Sequence, residues 1–386
     1  MGDIKAALVG AGFIGPVHAE ALARLGVEVK GILDITPEKS RSAAKALGLK
    51  TAYNSYDEVL KDGEVSCVHI ASPNKLHFGH VKAALDAGKN VVCEKPLAMT
   101  SGETLDLVRE SAKRLRQVAA VNYNIRFYPL NLEAKARIAA GELGEIFHVR
   151  GSYVQDWLMY PDDFNWRVLA EEGGATRAIG DIGTHWLDLV LFLTGLKVDS
   201  VMADLKIVHP VRRRPTGDVE TFKDKEKSQA ETGRMPVDIT TEDYGSVLLK
   251  FRSGARGVLT VSQVTAGRKN RLEYEIAGSK GSLHWVSEAP NTMWFGSREK
   301  ANSVLMRDPA LLGKEAAPYA NFPGGHNEGF PDTFKQAFRA IYADIRAGGP
   351  GKAPLYATFE DGHRELLLCE AILESNRKSS WVTVKS

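Results

Sequence analysis

The chain has 386 residues, 44% of them hydrophobic, and a formal net charge of +2, enough apolar material for two ordinary domains and too balanced a charge for nucleic-acid or membrane binding through bulk electrostatics. Its three cysteines, Cys67, Cys93 and Cys369, form no Cys-x-x-Cys pair, which speaks against a disulfide frame or a zinc site. No apolar run reaches the length of a membrane span, and the first strand begins too early for a signal peptide, so a reducing cytoplasm is the expected compartment.

From the N-terminus to residue 121, strand and helix patterns alternate. Strands are expected at 4–9, 27–33, 67–71, 90–93 and 117–121, with helices near 13–25, 37–47, 55–61, 75–87 and 101–114. Such alternation marks a doubly wound parallel sheet with helices on both faces. Residues 1–122 are therefore expected to form a dinucleotide-binding domain of Rossmann type, within an α/β chain. Beyond 122 the rhythm changes. A helix near 130–140 leads to a strand near 145–155, a loop with Trp157, Trp166 and Arg167, and an apolar helix over 181–193. Strands follow near 198–208, 243–251, 256–263, 270–277, 281–287 and 292–296, several separated by hairpin turns such as Arg252-Ser253-Gly254. Residues 123–386 should thus form an α+β domain with a large, open, mainly antiparallel sheet. The polar segment 209–240, with Arg212-Arg213-Arg214 read as a solvated run, is expected as a mobile flap or an excursion at the domain edge. Helices near 327–347 and 359–376 and a short strand at 381–384 complete the chain.

Ligands of doubly wound sheets collect at the carboxyl ends of the strands. After the first strand comes Gly10-Ala11-Gly12-Phe13-Ile14-Gly15, a turn that lets backbone approach a pyrophosphate at a helix N-terminus. The second strand ends in Asp34, either a ligand of the adenosine ribose or a cap of the next helix. A carboxylate there accepts from a 2′-hydroxyl and repels a 2′-phosphate, so NAD is expected over NADP. Ser72-Pro73-Asn74, Glu94-Lys95-Pro96 and Asn122 follow the later strands. Lys95 would stand at the mouth of the sheet, in a turn that Pro96 fixes with a trans or a cis bond. Asp181 and His185, spaced i and i+4, share a helix face among Ile182, Trp186, Leu187 and Leu189. They are either a working pair or a capping acid and a satisfied core histidine.

Four motifs, Gly10-x-Gly12-x-x-Gly15, Ser72-Pro73-Asn74 followed by His77, Glu94-Lys95-Pro96, and Gly180-Asp181-Ile182-Gly183-Thr184-His185, resemble the Gfo/Idh/MocA family of nucleotide-dependent oxidoreductases over essentially the whole chain. Gln155-Asp156-Trp157-Leu158, Asn165-Trp166-Arg167 and the stretch from Ser262 to Asn270 are similar to its levoglucosan and inositol dehydrogenase branches. The resemblance implies a dehydrogenase that oxidises a secondary hydroxyl of a sugar, anhydrosugar or inositol. In it His185 is the general base, Lys95 polarises the hydroxyl, and Asp181 binds a neighbouring hydroxyl or orients the pair, with no metal. NAD would be held by the glycine turn with Phe13 and Ile14, by Asp34, by Ser72, Pro73, Asn74 and His77, by Glu94 and Lys95, and by Asn122, Trp166 and Arg167. Besides the catalytic three, Tyr123, Arg126, Trp157, Arg167 and His326 would contact substrate. Plainer roles stand beside these: core aromatics for Tyr123 and Trp157, ion-pair partners for the arginines, a helix cap for His326. A keto-sugar reductase, an anomeric aldose oxidoreductase and a non-catalytic nucleotide-binding regulator are the alternatives. Members of this family bury the second sheet against another subunit, which implies a homodimer or homotetramer.

Overall fold

The structure, a computed structural model, describes residues 4–216 and 233–385. Six strands, β1 (Lys5–Val9), β2 (Glu28–Leu33), β3 (Thr51–Ala52), β4 (Val65–Ile70), β5 (Asn90–Cys93) and β6 (Ala119–Val121), run parallel in the order β6-β5-β4-β1-β2-β3. Their central residues, including Leu8, Val68, Ile70, Val91 and Val92, are fully buried. A strand covered on both faces reads as a continuous apolar run rather than an alternation. The connecting helices are α1 (Ile14–Arg24), α2 (Pro37–Leu47), α3 (Tyr56–Lys61), α4 (His77–Asp86) and α5 (Ser101–Ala112). Local chemistry sets their starts: Thr36 caps α2 ahead of Pro37, and Thr100 with Glu103 forms a capping box on α5. Strand β3 has two residues, too few to give any sequence period.

The second sheet is built from β7 (Ile146–Val154), β8 (Val198–Lys206), β11 (Tyr244–Phe251), β12 (Arg256–Ser262), β13 (Arg271–Gly278), β14 (Ser282–Val286), β15 (Thr292–Gly296), β16 (Ser303–Met306) and β18 (Val382–Thr383), in the order β16-β15-β14-β13-β7-β12-β11-β8-β18. All its pairs are antiparallel except β7 with β12. Helices α6 (Pro129–Ala139) and α8 (Thr184–Thr194), with the single turn α7 (Ala170–Gly173) between them in the chain, are joined to this sheet in one apolar cluster, while Leu248 on the opposite face is 46% exposed. Trp186 of α8 packs where Gly151 lacks a side chain: a Cβ there would lie 2.4 Å from its Nε1, which donates to Glu273 O at 2.9 Å. Trp186 is fully buried, and truncating such a side chain costs about 3–5 kcal/mol.

Three expectations need correction. First, a boundary at 122 cleanly divides neither the strands nor the helices between the two sheets. After α9 (Phe330–Ala347) the chain returns to the first sheet, where β17 (Ala357–Thr358) pairs antiparallel with β6, followed by α10 (Phe359–Lys378). Phe334, Phe338, Ile341 and Tyr342 of α9 share a cluster with Leu8 of β1, Leu22 of α1 and Ala44 of α2, so this face of the sheet is covered jointly by α1, α2 and α9. Second, residues 217–232 of the polar segment lie outside the described residues, but its flanks form a hairpin of β9 (Val211–Pro215) and β10 (Arg234–Asp238). Third, Arg212-Arg213-Arg214 is not a uniformly solvated run. Strand alternation turns Arg212 inward, fully buried and donating to Leu158 O, Tyr160 O and Asp163 O, while Arg213 points out.

Candidate active site

The glycine turn brings the ends of β1, β2 and β4 together. Gly10 has φ +103°, its N–H donates to Leu33 O at 2.8 Å, and a Cβ on it would lie 2.5 Å from Ala71 O. Gly12 faces open space, with nothing within 4 Å of the position its Cβ would take. Helix α1 begins beside that space with no side-chain cap and no acid in its first turn, so its positive end is offered to an external anion. Asp34 Oδ2 accepts from Ala11 N at 3.2 Å, which holds the carboxylate at the β2 side of the cleft. Arg41, a cation on the helix that follows Asp34, is paired with Glu38 at 2.5 Å. Cradle, uncapped helix and acid fit a dinucleotide with a free 2′-hydroxyl.

At the other side of the cleft, β5 ends in Glu94, and the Lys95–Pro96 peptide is cis. Lys95 Nζ donates to Asp181 O at 2.7 Å and Asp181 Oδ1 at 2.8 Å. An ammonium has three donors, so one N–H is left for the cleft. Asp181 Oδ2 accepts from Gln263 Nε2 at 2.8 Å, and Gln263 Oε1 accepts from Arg177 Nη1 at 2.9 Å. Arg177 and Arg212 share the buried carboxylate of Asp243. Arg167 lies over the Trp166 ring, 4.5 Å from its centroid, with Nε 3.8 Å from Asp181 Oδ1. Burial by itself would raise the Asp181 carboxyl, but Lys95 and Arg167 beside it hold it well below the usual carboxylate range.

Asp181 and His185 do not share a regular helix turn as expected. Residues Ile179–Gly183 form a π turn before α8 starts, and the wider turn separates the two side chains. The acid reaches Lys95 and Gln263 instead of the imidazole. His185 is 8% exposed, its Nδ1 is buried with no hydrogen-bond partner among the described residues, and Nε2 is the nitrogen open to the cleft. The Tyr123 ring stands edge-on at 5.4 Å. Burial, followed by the Lys95 charge, pushes the His185 imidazole down to about 3, so it is neutral over the physiological range.

A family profile described as an oxidoreductase family with an NAD-binding Rossmann fold matches residues 4–123, and the GFO/IDH/MocA C-terminal domain profile matches residues 131–284. Levoglucosan dehydrogenase of Pseudarthrobacter phenanthrenivorans is 30% identical over 400 aligned residues, covering 100% of this chain and 99% of that protein. The chain belongs to the Gfo/Idh/MocA oxidoreductase family. Myo-inositol 2-dehydrogenase of Thermotoga maritima is 25% identical over 96% of each chain. The solved structure of levoglucosan dehydrogenase in complex with NADH and L-sorbose superposes with a TM-score of 0.88 at 27% identity, covering 100% of both chains. The protein is thus an oxidoreductase of sugar and inositol dehydrogenase type with an NAD-binding Rossmann domain.

In this Gfo/Idh/MocA chain several expected contacts lie elsewhere. Arg126 is 2% exposed, bound to Asp188 and Asp361, with its guanidinium over Phe192. It therefore holds helices together, with its guanidinium turned onto those acids. The Tyr123 hydroxyl is buried, which leaves the ring as a buttress for His185. His77 is fully buried, with Nε2 2.8 Å from Ser72 O and Nδ1 2.7 Å from Pro96 O, so it ties two cleft loops together. Asn74 reaches across to Gly173 O at 2.8 Å, and Ser72 Oγ lies 3.2 Å from His80 Nδ1. Glu94 and Asn122 bond to each other at 2.5 Å. Trp157 donates to Gln155 Oε1 at 2.9 Å and packs beside Leu158 and Ile239. His326 is exposed on a loop whose carbonyl groups Arg307 clamps, its Nδ1 3.4 Å from Gly324 O. Sequence reasoning assigned no role to Gln263 and Arg177, because neither carries acid–base chemistry nor follows a strand of the first sheet.

Proposed function

We propose that the protein oxidises a secondary hydroxyl of a sugar, anhydrosugar or inositol, with Lys95, Asp181 and His185 as the working groups. The observation that carries this reading is the Lys95 ammonium, two of whose donors are fixed on Asp181 while the third is left for the cleft beside a neutral imidazole. The free N–H of Lys95 donates to the substrate oxygen and stabilises alkoxide character as it develops. His185 Nε2 takes the hydroxyl proton. The substrate carbon gives up its hydrogen as hydride and becomes a carbonyl; bound NAD supplies the hydride acceptor. Asp181, held by Lys95 and Gln263, fixes the ammonium and keeps lone pairs for a neighbouring hydroxyl. Arg167 and Trp166 offer a donor and a flat apolar face to a polyhydroxylated ring. The similarity to levoglucosan and inositol dehydrogenases supports the substrate class.

The outer face of the second sheet carries exposed Leu248, Val258, Val304 and Met306 around the Arg150–Glu275 pair, which supports a second copy of the chain as its cover. The test of function is the appearance of reduced nicotinamide absorbance with NAD over a panel of anhydrosugars, aldoses and inositols. We expect turnover that survives blocking of the anomeric carbon. Turnover lost on blocking, or absent over the whole panel, overturns the reading.

A further inference from the structure

A line of polar side chains crosses the interior of the first domain, and the proposed chemistry does not use it. Glu94 Oε1 is 3.0 Å from His18 Nε2, His18 Nδ1 is 3.0 Å from His69 Nδ1, and His69 Nε2 is 2.9 Å from the Tyr342 hydroxyl. His18 on α1, His69 on β4 and Tyr342 on α9 are all fully buried, in the cluster that holds Leu22, Val92 and Phe338. The direction of the chain follows from its end. A carboxylate only accepts, so His18 carries its proton on Nε2. A ring carrying that single proton has an acceptor at Nδ1, which His69 Nδ1–H fills, and His69 Nε2 then accepts from the Tyr342 hydroxyl. Asn122 Nδ2 donates to the same Glu94 oxygen at 2.5 Å. Reversal of every bond would aim a lone pair of His18 at Glu94, which requires a protonated carboxyl.

Apolar residues of similar shape would pack α1 against β4 and α9 without the cost of burying these groups. What the chain adds is a fixed negative charge at one place. Asp34 marks the adenosine side of the cleft at β2, and Glu94 lies across the sheet at β5, immediately before Lys95. Glu94 remains 8% exposed.

We propose that the Tyr342–His69–His18 chain is a positioning device that holds Glu94 as a carboxylate toward the nicotinamide half of the cofactor site, and that this charge favours the oxidised, cationic ring over the reduced, neutral one. The inference rests on the dehydrogenase reading. It is tested by measuring Kd for NAD⁺ and for NADH by calorimetry on the wild-type protein and on His18→Leu, His18→Gln and Tyr342→Phe, without turnover. His18→Leu weakens NAD⁺ binding about tenfold and NADH binding less than about twofold. His18→Gln, which restores a donor toward Glu94, recovers most of the ratio, and Tyr342→Phe, the mildest change, moves it about threefold. Nitrogen NMR of the wild-type protein is expected to place single protons on His18 Nε2 and His69 Nδ1. Equal loss of both nucleotides, an unchanged ratio in Tyr342→Phe, or a His18 ring protonated on both nitrogens overturns the proposal. A wild-type protein that binds neither nucleotide overturns the dehydrogenase reading itself.

Discussion

Lys95 and Asp181 meet across the cleft from two halves that are held by opposite means. On the cofactor side, Glu94 is the one carboxylate of a chain completed by imidazoles, a phenol and an amide. On the substrate side, Asp181 is anchored through Gln263 to Arg177, and Arg177 and Arg212 converge on Asp243, all deep in the second domain. Arg126, Asp188, Asp361 and Arg364 form another such cluster nearby. The contrast follows from what each half meets. A nicotinamide ring changes charge during the reaction, and a scaffold of imidazoles, a phenol and an amide can hold one acid near it without a lysine or arginine bonded to that acid. Sugar hydroxyls stay neutral, so the substrate half can use buried ion clusters as rigid struts.

The comparison breaks most sharply at the contact between the halves. Lys95→Met is expected to lower kcat about a thousandfold, a far larger effect than any it has on NAD Kd, since the ammonium bonds to the developing alkoxide. A loss below about tenfold would remove Lys95 from the chemistry. Next in size is Arg177→Met, which takes one of two cations from the buried Asp243 and leaves Gln263 Oε1 without its donor. Breaking a buried pair from one side costs about 3–5 kcal/mol, read as a lowered midpoint in urea. A change under about 1 kcal/mol would show that the cluster is not a strut. Gln263→Leu tests the same line closer to the site. It should reduce kcat/KM about tenfold, one hydrogen bond to a charged group, with NAD affinity unchanged.

The two halves were also unequally legible. On the cofactor side, each functional element is a short run following a strand: the glycine turn after β1, Asp34 after β2, Glu94-Lys95-Pro96 after β5. Spacing and strand alternation expose them because the sheet delivers all its strand ends to one edge. On the substrate side, Asp181 and His185 were visible as polar groups in an apolar helix, but the π turn between them was not, since it changes a hydrogen-bond register without changing composition. Gln263 gains its role only because β12 lies beside β7 and ends next to Asp181, a pairing between segments a hundred residues apart. Arg126 carried two readings, and its partner acids at 188 and 361 decide for the structural one. His18 gave a signal that went unused: it sits on the inward face of α1, in step with Ile14, Ala21 and Leu22. A polar residue on an apolar stripe implies a buried partner, but the partners come from β4, β5 and α9 and no local pattern names them.

The last test sharpens the comparison most, because it is read at one proton. Burial is the larger cause and the Lys95 charge the second in pushing His185 down to about 3 from an ordinary 6.5. The unfolded chain therefore takes up a proton below about pH 6.5 that the folded protein refuses. Stability from this group is fully present above that value and is lost as pH falls toward 3. In the wild-type protein the His185 ring signals should show no titration between pH 7 and 5, and the acid limb of kcat/KM from this group should lie below that window. In Lys95→Met the midpoint should rise while staying below 6.5, since burial remains. His185→Leu should flatten the loss of stability between pH 6 and 4. A wild-type midpoint near 6.5 would mean that water and ions reach the imidazole freely, and that the lysine across the cleft does not govern the base it faces.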